Sequence, residues 1–181
     1  MKYILSLLLL FVLFINGASA KTPEELSKEY FDLLVTQDWN KIGALYDPAA
    51  LSDFKDMMSF LGEIPDDAAG PVLGQFFGPG TTSEDVAGMS DVAFFTGFMR
   101  GVMVQAAAVG QLNFENIDIL GTLEEGENLN HVVIRTRVGI GEMSLEAMEV
   151  ITFSNASGEW KIVLQGKIKG MAKQMKAAMG M

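Results

Sequence analysis

The sequence predicts an α+β domain in which N-terminal helices pack on a curved antiparallel sheet of about four strands. Apolar residues keep helical spacing up to Gly110, and the segments after it alternate apolar and polar residues with the period of two that is typical of strands. The turns between those segments are too short to hold a crossover helix, so the strands are expected to pair as an antiparallel meander.

The first twenty residues have the pattern of a cleaved signal peptide. Lys2 supplies a positive start, Ile4–Ile15 form an apolar run, and Ala18-Ser19-Ala20 matches the small-x-small pattern at which signal peptidases cleave. The apolar run is about 12 residues long, well short of the roughly 20 that span a bilayer. We therefore expect export, to a bacterial periplasm or the medium, and a single mature domain of residues 21–181.

The composition of the mature chain argues against several functions. It carries 12 basic and 23 acidic residues, a net charge of −11, which repels the phosphates of nucleic acid. It contains no cysteine, so it has neither disulfides nor a thiol nucleophile. It also contains a single histidine, and cysteine and histidine are the usual ligands of zinc in proteins. No metal site and no cofactor are therefore predicted.

Capping residues predict two helices near the start of the mature chain. Thr22-Pro23-Glu24-Glu25 is a capping box with proline at the first helical position, and it begins a helix expected over Pro23–Thr36. Asp38 can cap a second, short helix. That helix should end near Tyr46, because Pro48 disfavours helical angles at the residue before it.

Apolar spacing predicts two further helices with a loop between them. Residues in Ala49–Leu61 keep the three-and-four spacing of one buried stripe. Gly62–Ser83 holds too many glycines and prolines for a continuous element, although Val72–Phe77 could form a short strand or apolar plug. A long helix is expected over 83–108, apolar nearly all round and therefore buried on several sides. The small-residue spacing within Gly97–Gly101 is interpreted as close packing inside the core.

Alternation predicts which side chains share a face of the sheet. The four expected strands are Phe114–Leu123, His131–Gly139, Leu145–Phe153 and Trp160–Ile168. With Gly139–Gly141 as the turn between the second and third strands, Arg135 and Arg137 are expected on the same face as Glu149. Such a face is either the lining of a pocket for an anionic or polar ligand, or a solvated side with cross-strand ion pairs.

Two segments resemble the NTF2-like (SnoaL-like) superfamily of cone-shaped α+β domains. Asp38–Ala50 (DWNKIGALYDPAA) is similar to that family's turn from the second helix into the sheet, and Gly158–Val163 (GEWKIV) is similar to its final strand. The resemblance implies the cone-like fold for most of the mature chain. The chain departs from the family pattern after the second helix. The family often has a strand hairpin there, whereas this sequence keeps helical spacing.

The same resemblance offers an enzymatic hypothesis. NTF2-like ketosteroid isomerases and dehydratases use carboxylate or His-Asp acid/base chemistry in an apolar pocket. The corresponding candidates here are Tyr30, Asp32, Tyr46, Asp47 and Glu149. Asp32 falls opposite the buried stripe of its helix, and Asp47 before a proline is typical of a turn. The lone histidine, His131, begins a strand, where an edge position exposed to water is the common case.

Two functions therefore remain open. We favour an exported, non-catalytic domain that binds a small anionic or apolar ligand or a partner protein, with a homodimer through the sheet as one form of partner. Its ligand site is expected to combine Tyr30, Phe54 and Phe95 with Arg135 and Glu149, and no catalytic residue is assigned. The alternative is a periplasmic isomerase or dehydratase-type enzyme.

The C-terminal segment has its own charge pattern. Residues 167–181 contain lysines and no acidic residue, and as a helix they would place the lysines on one side and apolar residues on another. This pattern predicts an amphipathic tail that docks on its own acidic domain, on a partner, or on an anionic membrane surface.

Overall fold

The structure is a computed structural model that describes residues 20–110, 112–141 and 143–164, together with 168, 170, 173–175 and 177. Helices precede a four-stranded antiparallel sheet and pack against it, so the α+β class predicted from the sequence is confirmed. The predicted signal peptide lies outside the described residues, apart from Ala20. Within the described ranges, none of the helices has the length and apolar character needed to cross a membrane.

The first two helices begin and end as predicted. Helix α1 spans Pro23–Thr36, and its capping box is complete: the Thr22 hydroxyl accepts from the Glu25 amide at 3.3 Å, and the Glu25 carboxylate accepts from the Thr22 amide at 2.9 Å. Helix α2 spans Trp39–Leu45 and is capped by Asp38.

The third helix is shorter than predicted. Helix α3 spans Pro48–Met57, and a 3-10 turn over Ser59–Glu63 continues its buried stripe. The Asp47 carboxylate accepts from the Ala49 amide at 2.8 Å, which caps α3 at its first turn.

Residues Asp66–Phe77 form helix α4, so the predicted loop over this segment, with a strand at Val72–Phe77, is wrong. Pro71 lies inside the helix and leaves one carbonyl without its usual donor. The helix nevertheless places Ala69, Leu73 and Phe77 in the core. Burial of these side chains outweighs the local cost of the proline, which propensity alone does not anticipate.

The long helix expected over 83–108 is two helices, α5 over Ser83–Gly88 and α6 over Asp91–Val109. Ser90 has extended backbone angles, and its hydroxyl accepts from the Ala93 amide at 3.3 Å, so it caps a new helix. The Lys55 ammonium donates to the Ala87 and Met89 carbonyls just before this cap. The side chains of Lys55 and Ser90 therefore stabilise the break between α5 and α6.

The sheet is an antiparallel meander, as predicted. Its strands are β1 over Leu112–Glu125, β2 over Leu129–Ile140, β3 over Met143–Ser154 and β4 over Lys161–Ile162, in the order β1-β2-β3-β4. The pairing of β1 with β2 shifts register twice, at irregularities that bend a strand. The prediction of a strand over Trp160–Ile168 is wrong beyond Ile162, and residue 168 is already helical.

The core lies between the helices and one face of the sheet, which we call the inner face. In β2 and β3 the most buried inner-face side chains are Val132, Ile134, Ile151 and Phe153. Helix α6 also packs closely on α4: a Cβ on Gly101 would lie 2.7 Å from the carbonyl carbon of Phe76. The predicted close packing at Gly97–Gly101 is therefore confirmed.

Part of the C-terminal tail lies outside the described residues. Among those described, Ile168 and Met175 pack against the core, and Lys173 is exposed. This arrangement agrees with an amphipathic segment that docks on its own domain. Docking on a partner or a membrane surface stays a prediction.

Candidate functional site

A pocket of about 130 Å³ lies between α1 and the inner face of the sheet, and we call it the inner pocket. Its walls are mainly apolar, and their polar groups are two hydroxyls and one carboxylate. The lining residues are Tyr30, Phe31, Leu34, Phe114, Ile117, Ile134, Thr136, Val138 and Glu149. An apolar lining with few polar groups is the usual composition of a small-molecule site.

The register of β2 against β3 decides which charged residues reach this pocket. Ile134 pairs with Glu149, whereas Arg135 pairs with Met148. Paired residues of antiparallel strands share a face and consecutive residues alternate, so Glu149 lies on the inner face and Arg135 on the opposite, outer face. The prediction that Arg135 and Glu149 share one pocket is therefore wrong.

Arg135 and Arg137 instead form ion pairs on the outer face. The Arg135 Nε lies 3.3 Å from one carboxylate oxygen of Glu146, and the Arg137 Nη2 lies 3.1 Å from the other. All three side chains are 40–49% exposed. This is the cross-strand pairing on a solvated face that the sequence left open as the second interpretation.

The charged residue of the inner pocket is thus an acid rather than an arginine. Glu149 is an exposed residue at the pocket, and after burial, which is the main cause, its charge is a further and smaller cause that raises the pKa of Tyr30. A carboxylate at this position repels an anion and attracts a cation. The expected recognition of an anionic ligand by arginine consequently has no basis in this pocket.

Tyr30 and Tyr46 form a hydrogen-bonded pair behind the pocket. Their rings meet edge to face, with centroids 6.3 Å apart. Burial is the main cause that raises the pKa of both phenols, and most strongly that of Tyr46. The hydrogen bond between the two hydroxyls lowers the pKa of Tyr30 and raises that of Tyr46.

Phe54 and Phe95 do not line the inner pocket. They are 0% and 1% exposed, and they belong to an aromatic cluster in which Phe54 contacts Phe94, Phe95 and Phe98 at centroid distances of 5.3–5.9 Å. Phe95 also packs on Tyr46 at 4.6 Å. The two phenylalanines predicted as pocket walls thus support the Tyr30–Tyr46 pair from behind.

The remaining candidates lie away from this pocket. Asp32 is exposed on α1, and Asp47 is occupied as the cap of α3. His131 lies near the end of the sheet, with Nδ1 3.0 Å from the Thr152 hydroxyl and Nε2 2.8 Å from the Glu125 carboxylate. In the part of the chain that the structure describes, no group of three His, Cys, Asp or Glu side chains is arranged to hold a metal ion.

Tyr30 and Glu149 were named from the sequence and line the inner pocket, whereas most of the other residues of its wall were not named. Ile134, Thr136 and Val138 were placed on the face away from Arg135, which is correct. That apolar face was the signal: helices that cover a sheet bury its apolar side, so a pocket beneath them is lined by it. The predicted ligand site instead used the face of β2 that carries Arg135 and Arg137, which is the outer face.

The similarity of this chain to known proteins is structural and remote. No family model matches the sequence, and no curated protein matches it. A crystal structure described as an NTF2-like transpeptidase from Campylobacter jejuni is similar to it over 80% of this chain and 100% of that one, at 12% identity and a TM-score of 0.43. The arrangement of helices on the four-stranded meander agrees with the NTF2-like fold that the sequence resemblance implies.

Proposed function

We propose that this chain is an exported, non-catalytic domain that binds a small, mainly apolar ligand in the inner pocket. The observation that carries the proposal is the pocket itself: apolar walls from α1, β1 and β2 around the Tyr30 hydroxyl and the Glu149 carboxylate. Export is supported by the pattern of the first twenty residues, and the lack of a cysteine or a Ser-His nucleophile motif in the sequence favours binding over catalysis.

The size and charge of the pocket define the ligand class. A cavity of about 150 Å³ lined by apolar side chains accommodates benzene, and the inner pocket, at about 130 Å³, is comparable. The ligand is therefore a single ring or short branched chain, or the buried end of a larger molecule. Glu149 favours a neutral or positively charged polar group over an anion.

The enzymatic alternative meets one of its two structural requirements. Tyr30 and Glu149 do line one apolar pocket, as acid/base catalysis in a cone would need. However, that mechanism requires a carboxylate shielded from water, and Glu149 is an exposed residue. We therefore place binding first.

Native mass spectrometry of the chain expressed as its full precursor tests both parts of the proposal. The protein recovered from the periplasm or medium is expected to have the mass of residues 21–181 and to retain a small molecule that is released on unfolding. A full-length mass would contradict export, and a wild-type protein that retains nothing and binds no small aromatic probe would contradict the ligand site.

Two valine-to-phenylalanine variants of β2 locate the site. Val138→Phe fills the inner pocket and is expected to lower retention at least tenfold, whereas Val133→Phe adds the same bulk on the outer face and should leave retention unchanged. Equal effects of the two variants would mean that the ligand binds elsewhere.

A further inference from the structure

A second pocket lies between α6 and the turn that joins α1 to α2, and we call it the turn pocket. One wall is the segment Gln37–Asn40, and the other is the side of α6 that runs from its cap at Ser90 to Arg100. Its volume is about 380 Å³, compared with about 130 Å³ for the inner pocket. Small-molecule sites typically have volumes of about 300–1,000 Å³, so the turn pocket is large enough to hold a whole small ligand.

Contacts within the fold fix both walls of the turn pocket. The Asp38 amide donates to the Leu33 carbonyl at 3.0 Å, and the Asp38 side chain caps α2. Helix α2 in turn crosses α6 closely, because a Cβ on Gly43 would lie 2.9 Å from Cγ2 of Thr96. The walls are therefore formed without a ligand, which lowers the entropic cost of binding one.

Arg100 gives the turn pocket a positive charge. Arg100 is exposed, and among the described residues it has no ion-pair partner, whereas both arginines of the outer face are paired with a glutamate. The acid of the pocket, Asp38, is compensated by Lys41, whose ammonium lies 2.8 Å from its carboxylate. The charge of Arg100 is therefore uncompensated, in a mature chain whose net charge is −11.

This charge favours a carboxylate as the ligand group at Arg100. A guanidinium binds a planar carboxylate through two parallel hydrogen bonds. One guanidinium also balances the single charge of a carboxylate, whereas a phosphate monoester carries nearly two negative charges at neutral pH. A neutral group would leave the guanidinium without a counter-charge.

The segment Gln37–Asn40 indicates what the rest of the ligand is like. Trp39 is half-buried and offers a flat apolar surface, whereas Gln37 and Asn40 are exposed and carry carboxamides, which both donate and accept hydrogen bonds. Neither carboxamide is bonded to another group in the described part of the chain. A sugar ring matches this combination, because its hydroxyls donate and accept and its C–H face packs on aromatic rings.

We propose that the turn pocket binds a sugar acid, that is, a sugar ring that carries one carboxylate. The carboxylate binds Arg100, the ring packs on Trp39, and the ring hydroxyls bind the carboxamides of Gln37 and Asn40. The sugar acid is either a free molecule or the end of an acidic polysaccharide. The inference concerns a pocket other than the inner pocket and is independent of the ligand proposal.

NMR titration of the mature protein with galacturonate and galactose tests the proposal, since the two sugars share a ring and differ by the carboxylate. The protein has two indole N–H signals after residue 20, from Trp39 and Trp160. Galacturonate is expected to shift the Trp39 signal and to bind at least tenfold more tightly than galactose. Absence of a Trp39 shift at about 10 mM galacturonate, or equal affinity for the two sugars, would overturn the proposal.

Two arginine variants provide matched controls. Arg100→Gln removes an exposed charge and should weaken galacturonate binding at least tenfold without changing galactose binding. Arg135→Gln removes an arginine of the outer face and should leave both unchanged. Val138→Phe, which fills the inner pocket, should also leave galacturonate binding unchanged, so that the two pockets are tested separately. Galacturonate binding that survives in Arg100→Gln, or that is lost equally in Arg135→Gln, would overturn the assignment.

Titration with trigalacturonate distinguishes the two sources of the ligand. Tighter binding of the trisaccharide than of galacturonate would support the proposal with a polysaccharide end as the ligand. Equal or weaker binding would support it with the free sugar acid. In either case the Trp39 signal is expected to shift, and a trisaccharide that binds without shifting it would contradict the proposed site.

Discussion

At the scale of single residues, the Tyr30–Tyr46 pair is the most specific polar feature of the inner pocket. Both hydroxyls lie among apolar side chains, and each is the hydrogen-bond partner of the other. Burial favours the neutral phenol over the charged phenolate. The pair therefore stays protonated at physiological pH and presents no anionic phenolate to the pocket.

This pairing predicts an unusual alkaline titration. Tyr30 and Tyr46 are the only tyrosines after residue 20, so phenolate absorbance of the mature protein reports on them alone. Because folding raises the pKa of both phenols, the stability of the fold depends on pH. Their contribution to the free energy of unfolding is complete below the ordinary phenol pKa of 10.0, and it is lost as the pH rises through the pKa of the folded state. At pH 10 the folded protein should show less phenolate than the chain in urea, which should be about half ionised.

Tyr46→Phe provides the control for this titration. The substitution leaves Tyr30 as the one tyrosine after residue 20 and removes the hydrogen bond between the two hydroxyls. It should lower the free energy of unfolding by about 1 kcal/mol near neutral pH. Half-ionisation of the folded wild-type protein at pH 10, with its near-ultraviolet circular dichroism unchanged, would show that the pair is not buried.

Residue-level prediction failed where it depended on a loop length. The turn between the second and third strands was taken as the three residues Gly139–Gly141, which places Arg135 and Glu149 on one face. In the structure Ile140 pairs with Met143, so the loop has two residues. A change of one residue in register moves every side chain of a strand to the other face. The position of Tyr30 does not depend on strand register, and Tyr30 lines the inner pocket.

At the scale of elements, capping chemistry determined most helix boundaries. The capping box at Thr22 and the cap at Asp38 were recognised locally, and the helices they begin were predicted. Asp47 was interpreted as a turn residue, and the structure shows that it caps α3. The cap at Ser90 was overlooked because the segments before and after it were assigned to one long apolar helix. Helix α4 could not be predicted locally, since Pro71 opposes it and only burial against the rest of the core favours it.

The contact between α4 and α6 depends on a glycine. Gly101→Ala would place a Cβ against the backbone of Phe76, which cannot move aside as a side chain can, so we expect a loss of about 3 kcal/mol of unfolding free energy. Gly74→Ala in α4 meets no atom closer than 3.9 Å and should gain about 0.5–1 kcal/mol from helix propensity.

Urea unfolding of the two glycine variants, with wild type measured alongside, provides the comparison. If Gly101→Ala were as stable as wild type, the close approach of the two helices would be wrong. If both variants lost stability equally, the effect would belong to the helices and not to their contact.

At the scale of the whole molecule, the helices leave one end of the inner face open. The inner-face residues Leu145, Ala147 and Glu149 of β3 are exposed, whereas Ile151 and Phe153 on the same face are buried. The sequence predicted helices over a meander and so the general architecture. It could not predict which end of the sheet stays uncovered, because that depends on how α1 crosses strands far from it in the chain.

The central claim is that the inner pocket binds small, mainly apolar molecules and prefers cations over anions. It is tested most directly by titrating the mature protein with benzylamine and benzoate, two ligands with the same ring and opposite charge, and following backbone amide NMR shifts. We expect benzylamine to shift the amides of Tyr30, Thr136 and Glu149 and to bind at least threefold more tightly than benzoate, with the difference lost in Glu149→Gln. Shifts confined to other parts of the chain, or tighter binding of benzoate, would contradict the claim.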